Sequence, residues 1–278
     1  HTKMVFKSSP YSIVEWVNCS LAYLSPRPTK NEIDAIYNKN YFSHGEAGSG
    51  YSNYSCLRYD LEKEAERRLE LIRKYKNAGK LLDAGCGFGT FLVHAKKTGY
   101  KVMGCDISKE AIKELKRAYN IHGVVAEIAP GKLPKGPFDV ITSWDVIEHM
   151  TDPKKALKTF YQMQPVDGYL FMTTPDLMSI DARILGKYWY GFKRIPEHLY
   201  YFTPTTIRNL LTTVGYEIVE IKMWGFQRNL AYCIEQFARY NQTLKNIFDP
   251  ISKALGFKNI SFFFPFIDML VIARKLRK

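Results

Sequence analysis

From residue 60 onward, short apolar runs alternate with stretches whose apolar positions recur at helical spacing. Asp60 to Lys76 sets Leu61, Ala65, Leu69 and Ile72 on one face and Glu, Lys and Arg elsewhere, which predicts an amphipathic helix. Lys80-Leu81-Leu82 reads as a buried strand and Phe91 to Thr98 as the helix after it. Lys101 to Asp106 predicts a second strand, and Ser108 then caps a helix to about Tyr119, with Glu110 close behind the cap. Gly123 to Glu127 and Phe138 to Trp144 predict two more strands. Asp152-Pro153 opens a helix, since proline suits a first turn, and Gly168 to Thr174 is a further strand closed by Pro175. Strands alternating with helices predict the α/β class, with a doubly wound, mainly parallel sheet.

The flanks break this rhythm. Residues 1–59 form a cap or lid segment, rich in Tyr, Ser, Asn and Pro and only weakly periodic. Within it Ser25-Pro-Arg-Pro-Thr29 predicts a turn capping a helix from Lys30 to Tyr37. His44 to Tyr51 is glycine-rich and flanked by Tyr41, Tyr51 and Tyr54, a pattern for a lid over a ligand or for a plain linker. The core spans 60–225 and contains an aromatic and basic insertion at 176–202, on the side expected to face an acceptor, with Tyr188, Trp189 and Tyr200. Thr203 caps a helix that Gly215 ends, and Tyr216 to Trp224 alternates as a strand. Residues 226–266 read as a helical insertion, with two helices between Leu230 and Leu255, and 267–278 as the last strand and a basic tail.

Charge and cysteine usage narrow the setting. The 278 residues carry 40 Lys and Arg against 27 Asp and Glu, a net charge of +13. That excess fits either solvated basic faces or an anionic partner. The five cysteines, Cys19, Cys56, Cys86, Cys105 and Cys233, make no Cys-x-x-Cys pair. They therefore predict neither a disulfide framework nor a zinc site, and a reducing, cytoplasmic location. No signal peptide is visible, and Met4 is a candidate start behind His1-Thr2-Lys3. No apolar run reaches the roughly 18 residues of a membrane-spanning helix.

The chemistry centres on Asp83-Ala-Gly85-Cys-Gly87-Phe-Gly89-Thr90, between a strand and a helix. Such a loop exposes backbone N–H groups to a polar ligand. A dinucleotide fingerprint places its third glycine at the position held here by Thr90. An acid at Asp83, at the strand end, suits an ammonium better than a pyrophosphate. Asp106, Glu127 and Trp144-Asp145 lie at or near other strand carboxyl ends, where ligands of such sheets bind.

These motifs resemble class I S-adenosylmethionine (SAM)-dependent methyltransferases, in the type 11, 12 and 23 branch. Besides the glycine loop, the resemblance rests on Phe138-Asp-Val-Ile, Asp145-Val-Ile-Glu-His149, Gln164-Pro-Val-Asp-Gly168 and Glu197-His-Leu-Tyr-Tyr-Phe-Thr203. It implies a seven-stranded Rossmann-like sheet with its last strand antiparallel, and SAM as cofactor. It also implies that Asp83 and the backbone of Gly85, Cys86, Gly87 and Gly89 hold the methionine part. Asp106 would take the ribose hydroxyls, Ile107, Glu127 and Ile128 would surround the adenine, and Ser143, Trp144 and Asp145 would line the sulfonium side. The paired cysteines frequent near the N-terminus of the family are reduced here to Cys19, so no metal is expected.

The function expected is methyl transfer, to oxygen, of a small-molecule or glycan- or lipid-linked acceptor. His149 and His198 are the candidate bases, since a histidine titrates near neutrality. Tyr51, Tyr54, Tyr188, Trp189 and Tyr200 are the candidate acceptor contacts. A nucleic-acid methyltransferase is disfavoured: Trp144-Asp-Val-Ile stands where amino-group enzymes carry Asn/Asp-Pro-Pro-Tyr/Phe, and no RNA-binding module is visible. A non-catalytic SAM-binding protein stays open, and an NAD-binding protein is disfavoured by Thr90 and Asp83. Phe257 to Phe266, near the basic tail, fits either core packing or peripheral contact with an anionic membrane.

Overall fold

The computed structural model describes residues 1–36, 54–229, 250–251, 256 and 261–277. The N-terminal strands β1 (Thr2–Ser8), β2 (Tyr11–Trp16) and β3 (Ala22–Ser25) precede helix α1 (Lys30–Ile36). Then come α2 (Tyr54–Arg73), β4 (Lys80–Ala84), α3 (Thr90–Lys97), β5 (Lys101–Asp106), α4 (Lys109–Tyr119) and β6 (Gly123–Val125). The chain continues through β7 (Val140–Trp144), α5 (Pro153–Met163), β8 (Tyr169–Pro175), α6 (Ile180–Leu185) and α7 (Tyr190–Lys193). It closes with β9 (Tyr200–Tyr201), α8 (Pro204–Val214), β10 (Tyr216–Asn229) and β11 (Ser261–Lys275).

Seven strands form the main sheet in the order β10-β11-β8-β7-β4-β5-β6. Strands β4 to β8 run parallel, and β11 is antiparallel to both its neighbours. Successive side chains of a strand feed opposite layers. Leu81, Val140 and Phe171 join Ile72, Leu92 and Leu115 of α2, α3 and α4 on one face. Leu82, Ile141 and Leu170 join Leu157 and Phe160 of α5 and Ile207 and Leu211 of α8 on the other. Covering both faces is what lets a parallel sheet consist of nearly continuous apolar strands. The strand order reverses between β4, which leads to β5 and β6, and β7 on its other side, and this opens a crevice at their carboxyl ends.

The expected caps form. Ser108 accepts from the Ala111 amide and Asp152 from that of Lys155, while Thr203 and Thr206 make a reciprocal capping box. Gly215 ends α8 at φ 114°, and Thr29 with Glu32 caps α1.

Three expectations change. The weakly periodic N-terminus contains an antiparallel sheet, β1-β2-β3, completed by β9 from the 176–202 insertion. Its core of Ile13, Leu24, Trp189 and Tyr201 comes from distant stretches, so local periodicity is weak in each. Helix α2 begins at Tyr54 rather than Asp60. The ends of the 226–266 insertion are strand, because Phe226 pairs with Phe264 and Asn229 with Ser261. The helices read between 230 and 255 lie almost wholly outside the described residues, as do the 44–51 segment and the Tyr51 and Tyr54 side chains.

Candidate functional site

The crevice is built by the ends of β4, β5 and β7. Gly85, Gly87 and Gly89 adopt φ of 82°, 50° and 80°, the left-handed region that glycine enters without strain. A side chain at Gly85 would collide with Val146, so the loop sits directly against the segment after β7. The amides of Gly85 and Cys86 donate to the Cys105 carbonyl at 2.8 and 3.1 Å, tying the loop to β5.

Asp106, at the end of β5, is buried and accepts from two amides: Gly87 N–H on Oδ2 and Ser108 N–H on Oδ1, both at 2.9 Å. Each carboxylate oxygen keeps a lone pair for a further donor. Burial pushes its carboxyl up, and the amides of Ser108, Gly87 and Ile107 counter that. Asp83, at the end of β4, accepts from the Thr142 hydroxyl at 2.7 Å. Burial pushes Asp83 up to about 7, against the Thr142 hydrogen bond and the Arg68 charge. Arg68 of α2 closes this side of the crevice, with its Nε 3.0 Å from Glu64 and its guanidinium 4.5 Å from the Trp144 ring centroid. Its other end lies 3.7 Å from an Asp145 oxygen. Asp145 has φ 56° and accepts from the Thr173 hydroxyl at 2.7 Å.

The other predicted residues fall in differing surroundings. Ile107 is exposed beside Asp106. Glu127 lies beyond β6, exposed, and pairs with Lys132 at 2.7 Å, while Ile128 packs against the core. Ser143 is buried, its hydroxyl without a partner among the described residues. Cys86 is a buried thiol held protonated by burial, and its amide and carbonyl are bonded to Cys105 and Gly89 within the protein. Tyr188 is exposed, and Tyr200 is half-buried under the Arg27 guanidinium at 4.2 Å. Trp189 requires correction: it is fully buried, with its indole N–H on Asp181, and packs the N-terminal sheet instead of facing an acceptor.

His149 and His198 meet, their ring centroids 4.8 Å apart. The Leu199 amide donates to the Glu148 carbonyl at 2.8 Å, which brings the insertion onto the turn after β7. His149 Nδ1 lies 2.9 Å from the Glu197 carbonyl. Burial pushes His149 down to about 4 and His198 well below the usual range. Glu148 is buried beside them, accepts from Thr174 at 2.9 Å, and is pushed up to about 8 by burial and by Asp145.

Sequence reasoning assigned no role to Arg68, Thr142, Glu148 or Thr173. Thr142, Thr173 and Thr174 are polar residues inside strands buried on both faces, a signal that marks site-facing positions. Arg68 carries no such signal, being one of many charges on an amphipathic helix.

A family model described as a methyltransferase domain matches residues 57–221. A ubiquinone biosynthesis O-methyltransferase of Cupriavidus pinatubonensis is 26% identical over 156 residues, 51% of this chain and 62% of that one. The chain spans less than two thirds of the length of the first curated relatives it matches. Among solved structures, a SAM-dependent methyltransferase from Archaeoglobus fulgidus superposes with TM-score 0.54 at 21% identity, over 81% of this chain and all of that one. The [4+2]-cyclase SpnF superposes with TM-score 0.53 at 17% identity, over 78% and 82% of the two chains. At such identities the superpositions establish the fold.

Proposed function

The chain belongs to the methyltransferase-domain family, the class I SAM-dependent methyltransferases that its motifs resemble, and from that membership we propose that it methylates an oxygen of a small-molecule or lipid- or glycan-linked acceptor. The observation that carries the cofactor reading is the Asp106 carboxylate, fixed by two amides with lone pairs left for a vicinal diol. The glycine loop fits as well, since Gly85, Gly87 and Gly89 hold it in left-handed backbone against Val146, where a Cβ at Gly85 would collide.

SAM supplies a methyl group already activated by its sulfonium. The protein supplies orientation, which is worth roughly 7–11 kcal/mol when two reactants are held in line. In this reading Asp83 and Arg68 receive the ammonium and the carboxylate of the methionine part, and Asp106 holds the ribose. Trp144 and Asp145 border the sulfonium. The acceptor proton leaves through the His149–His198 cluster, whose imidazoles burial keeps uncharged.

A lipid-linked acceptor is favoured by the β10–β11 ribbon. Because Asp268 pairs with Pro175, residues 261–267 project past the carboxyl end of β8, on the crevice side of the sheet. Phe262 and Phe263 are exposed there. Co-sedimentation with anionic vesicles tests this part, and no binding at low salt removes it.

Calorimetric titration with S-adenosylhomocysteine, with NAD as control, tests the cofactor reading. Micromolar binding of the first alone is expected, and its absence overturns the reading. Transfer of labelled methyl from SAM to phenolic and hydroxylated lipid acceptors then tests the reaction, a necessary step because the fold also serves a cyclase.

A further inference from the structure

Glu148, His149 and His198 bring one ligand-type atom each to within 4.8 Å of one another. Two of those atoms are orphans in a dry setting. Glu148 Oε1 and His198 Nδ1 have no hydrogen-bond partner among the described residues, and their residues are only 1% and 2% exposed. Buried polar atoms without partners are costly, so a cluster of them calls for an occupant.

The surroundings orient all three donors inward. Thr174 holds Glu148 Oε2 and turns Oε1 toward the histidines. His149 Nδ1 lies on the Glu197 carbonyl, so Nδ1 carries the proton and Nε2, 3.8 Å from Glu148 Oε1, presents its lone pair. The Gly191 backbone lies beside the His198 ring, whose Nδ1 has no partner among the described residues. His149, fixed by a carbonyl on its far nitrogen, has the arrangement metal ligands adopt. We propose that Glu148 Oε1, His149 Nε2 and His198 Nδ1 form a site for a divalent transition-metal cation of the zinc class.

The donor set is two imidazoles and one carboxylate, with a fourth position left for water or an acceptor oxygen. Tetrahedral ligands at about 2.0–2.1 Å stand roughly 3.3 Å apart, so the three atoms close by small side-chain rotations. The charges facing the cluster are Asp145, Glu197 and Arg194, and Arg194 is neutralised by Glu197 at 3.3 Å. On loading, the Glu148 carboxyl loses its proton to solvent and its oxygen bonds the cation, while both imidazoles become ligands rather than bases. This refines the proton-handling part of the methyltransfer reading and stands apart from cofactor binding.

Cobalt titration of the metal-stripped wild-type protein tests it, followed by zinc displacement. One equivalent giving the visible bands of a low-coordinate nitrogen–oxygen cobalt site is expected, bleached by zinc. Glu148→Gln and, independently, His198→Ala should weaken cobalt binding at least tenfold while S-adenosylhomocysteine affinity stays within about twofold. Folded wild-type protein that binds S-adenosylhomocysteine but takes up no more cobalt than Glu148→Gln overturns the proposal. Loss of S-adenosylhomocysteine binding by wild type would instead count against the cofactor reading and leave the cobalt result to decide the metal site.

Discussion

The Thr142 hydroxyl donates to Asp83 Oδ1 at 2.7 Å, across the parallel pair formed by β4 and β7. This fixes the Asp83 carboxyl at the strand switch point, where burial holds it near neutrality with a pKa of about 7. A cationic ammonium placed against it would favour the ionised form. S-adenosylhomocysteine binding should therefore release a proton below pH 7. Affinity should fall up to about tenfold for each pH unit below that point and level off above it. Calorimetry in buffers of different ionisation enthalpy measures the proton count, and Asp83→Asn should abolish the pH dependence.

Asp106 holds Gly87 and Ser108 by their amides while leaving acceptor capacity for the ligand. Asp106→Ala removes charge-assisted hydrogen bonds worth about 1.5–3 kcal/mol each. Two such bonds to ribose hydroxyls imply S-adenosylhomocysteine binding weakened at least about a hundredfold, measurable by calorimetry. Unchanged affinity would remove Asp106 from the ligand.

The sheet and its crevice were legible in sequence because their signals are local. Leu81-Leu82, Asp83 and the three glycines sit within one short strand–loop unit, and Ser108, Asp152, Thr203 and Gly215 punctuate the helices. The N-terminal sheet was not legible, because Ile13 and Leu24 owe their burial to Trp189 and Tyr201, far along the chain. The Glu148–His149–His198 cluster was hidden for the same reason. His149 and His198 show no metal spacing in sequence and are brought together by tertiary bonds, Leu199 to Glu148 and His149 to Glu197. Arg68 was lost among the charges of α2, and its tertiary contacts with Trp144 and Asp145 single it out.

Gly85→Ala tests the cradle. Its φ of 82° disfavours any side chain, and the added methyl would meet Val146. Strain of this kind costs about 1–3 kcal/mol. Thermal melts should show that loss, and S-adenosylhomocysteine binding should weaken by tenfold or more as the loop shifts away from β7.

Trp189→Ala separates packing from recognition. The indole is fully buried among Ala182, Leu199 and Tyr201, so truncation should cost about 3–5 kcal/mol in chemical denaturation. Because it lies in the N-terminal layer, S-adenosylhomocysteine affinity should stay within a few-fold under native conditions. A stable variant with lost acceptor turnover would return Trp189 to the acceptor site.

Metal-stripped protein should lose stability as pH rises from 7 to 8, through Glu148. Its carboxyl is pushed from the ordinary range up to about 8 in the fold, so between those limits the native state holds a proton that the unfolded chain has released. Stability falls with pH wherever the native state binds more protons. His149, pushed down to about 4, acts in the opposite sense, but only up to its ordinary value of 6.5. Asp83 resembles Glu148 in sign, but is half titrated at about 7 and fades above it. Above 7, among these three groups, Glu148 contributes most, with a slope of up to about 1.4 kcal/mol per pH unit. Denaturation midpoints should thus fall more steeply from pH 7 to pH 8 in wild type than in Glu148→Gln. Equal slopes in the two proteins would mean that the Glu148 carboxyl is already ionised at pH 7 and that no proton waits there for a cation to displace.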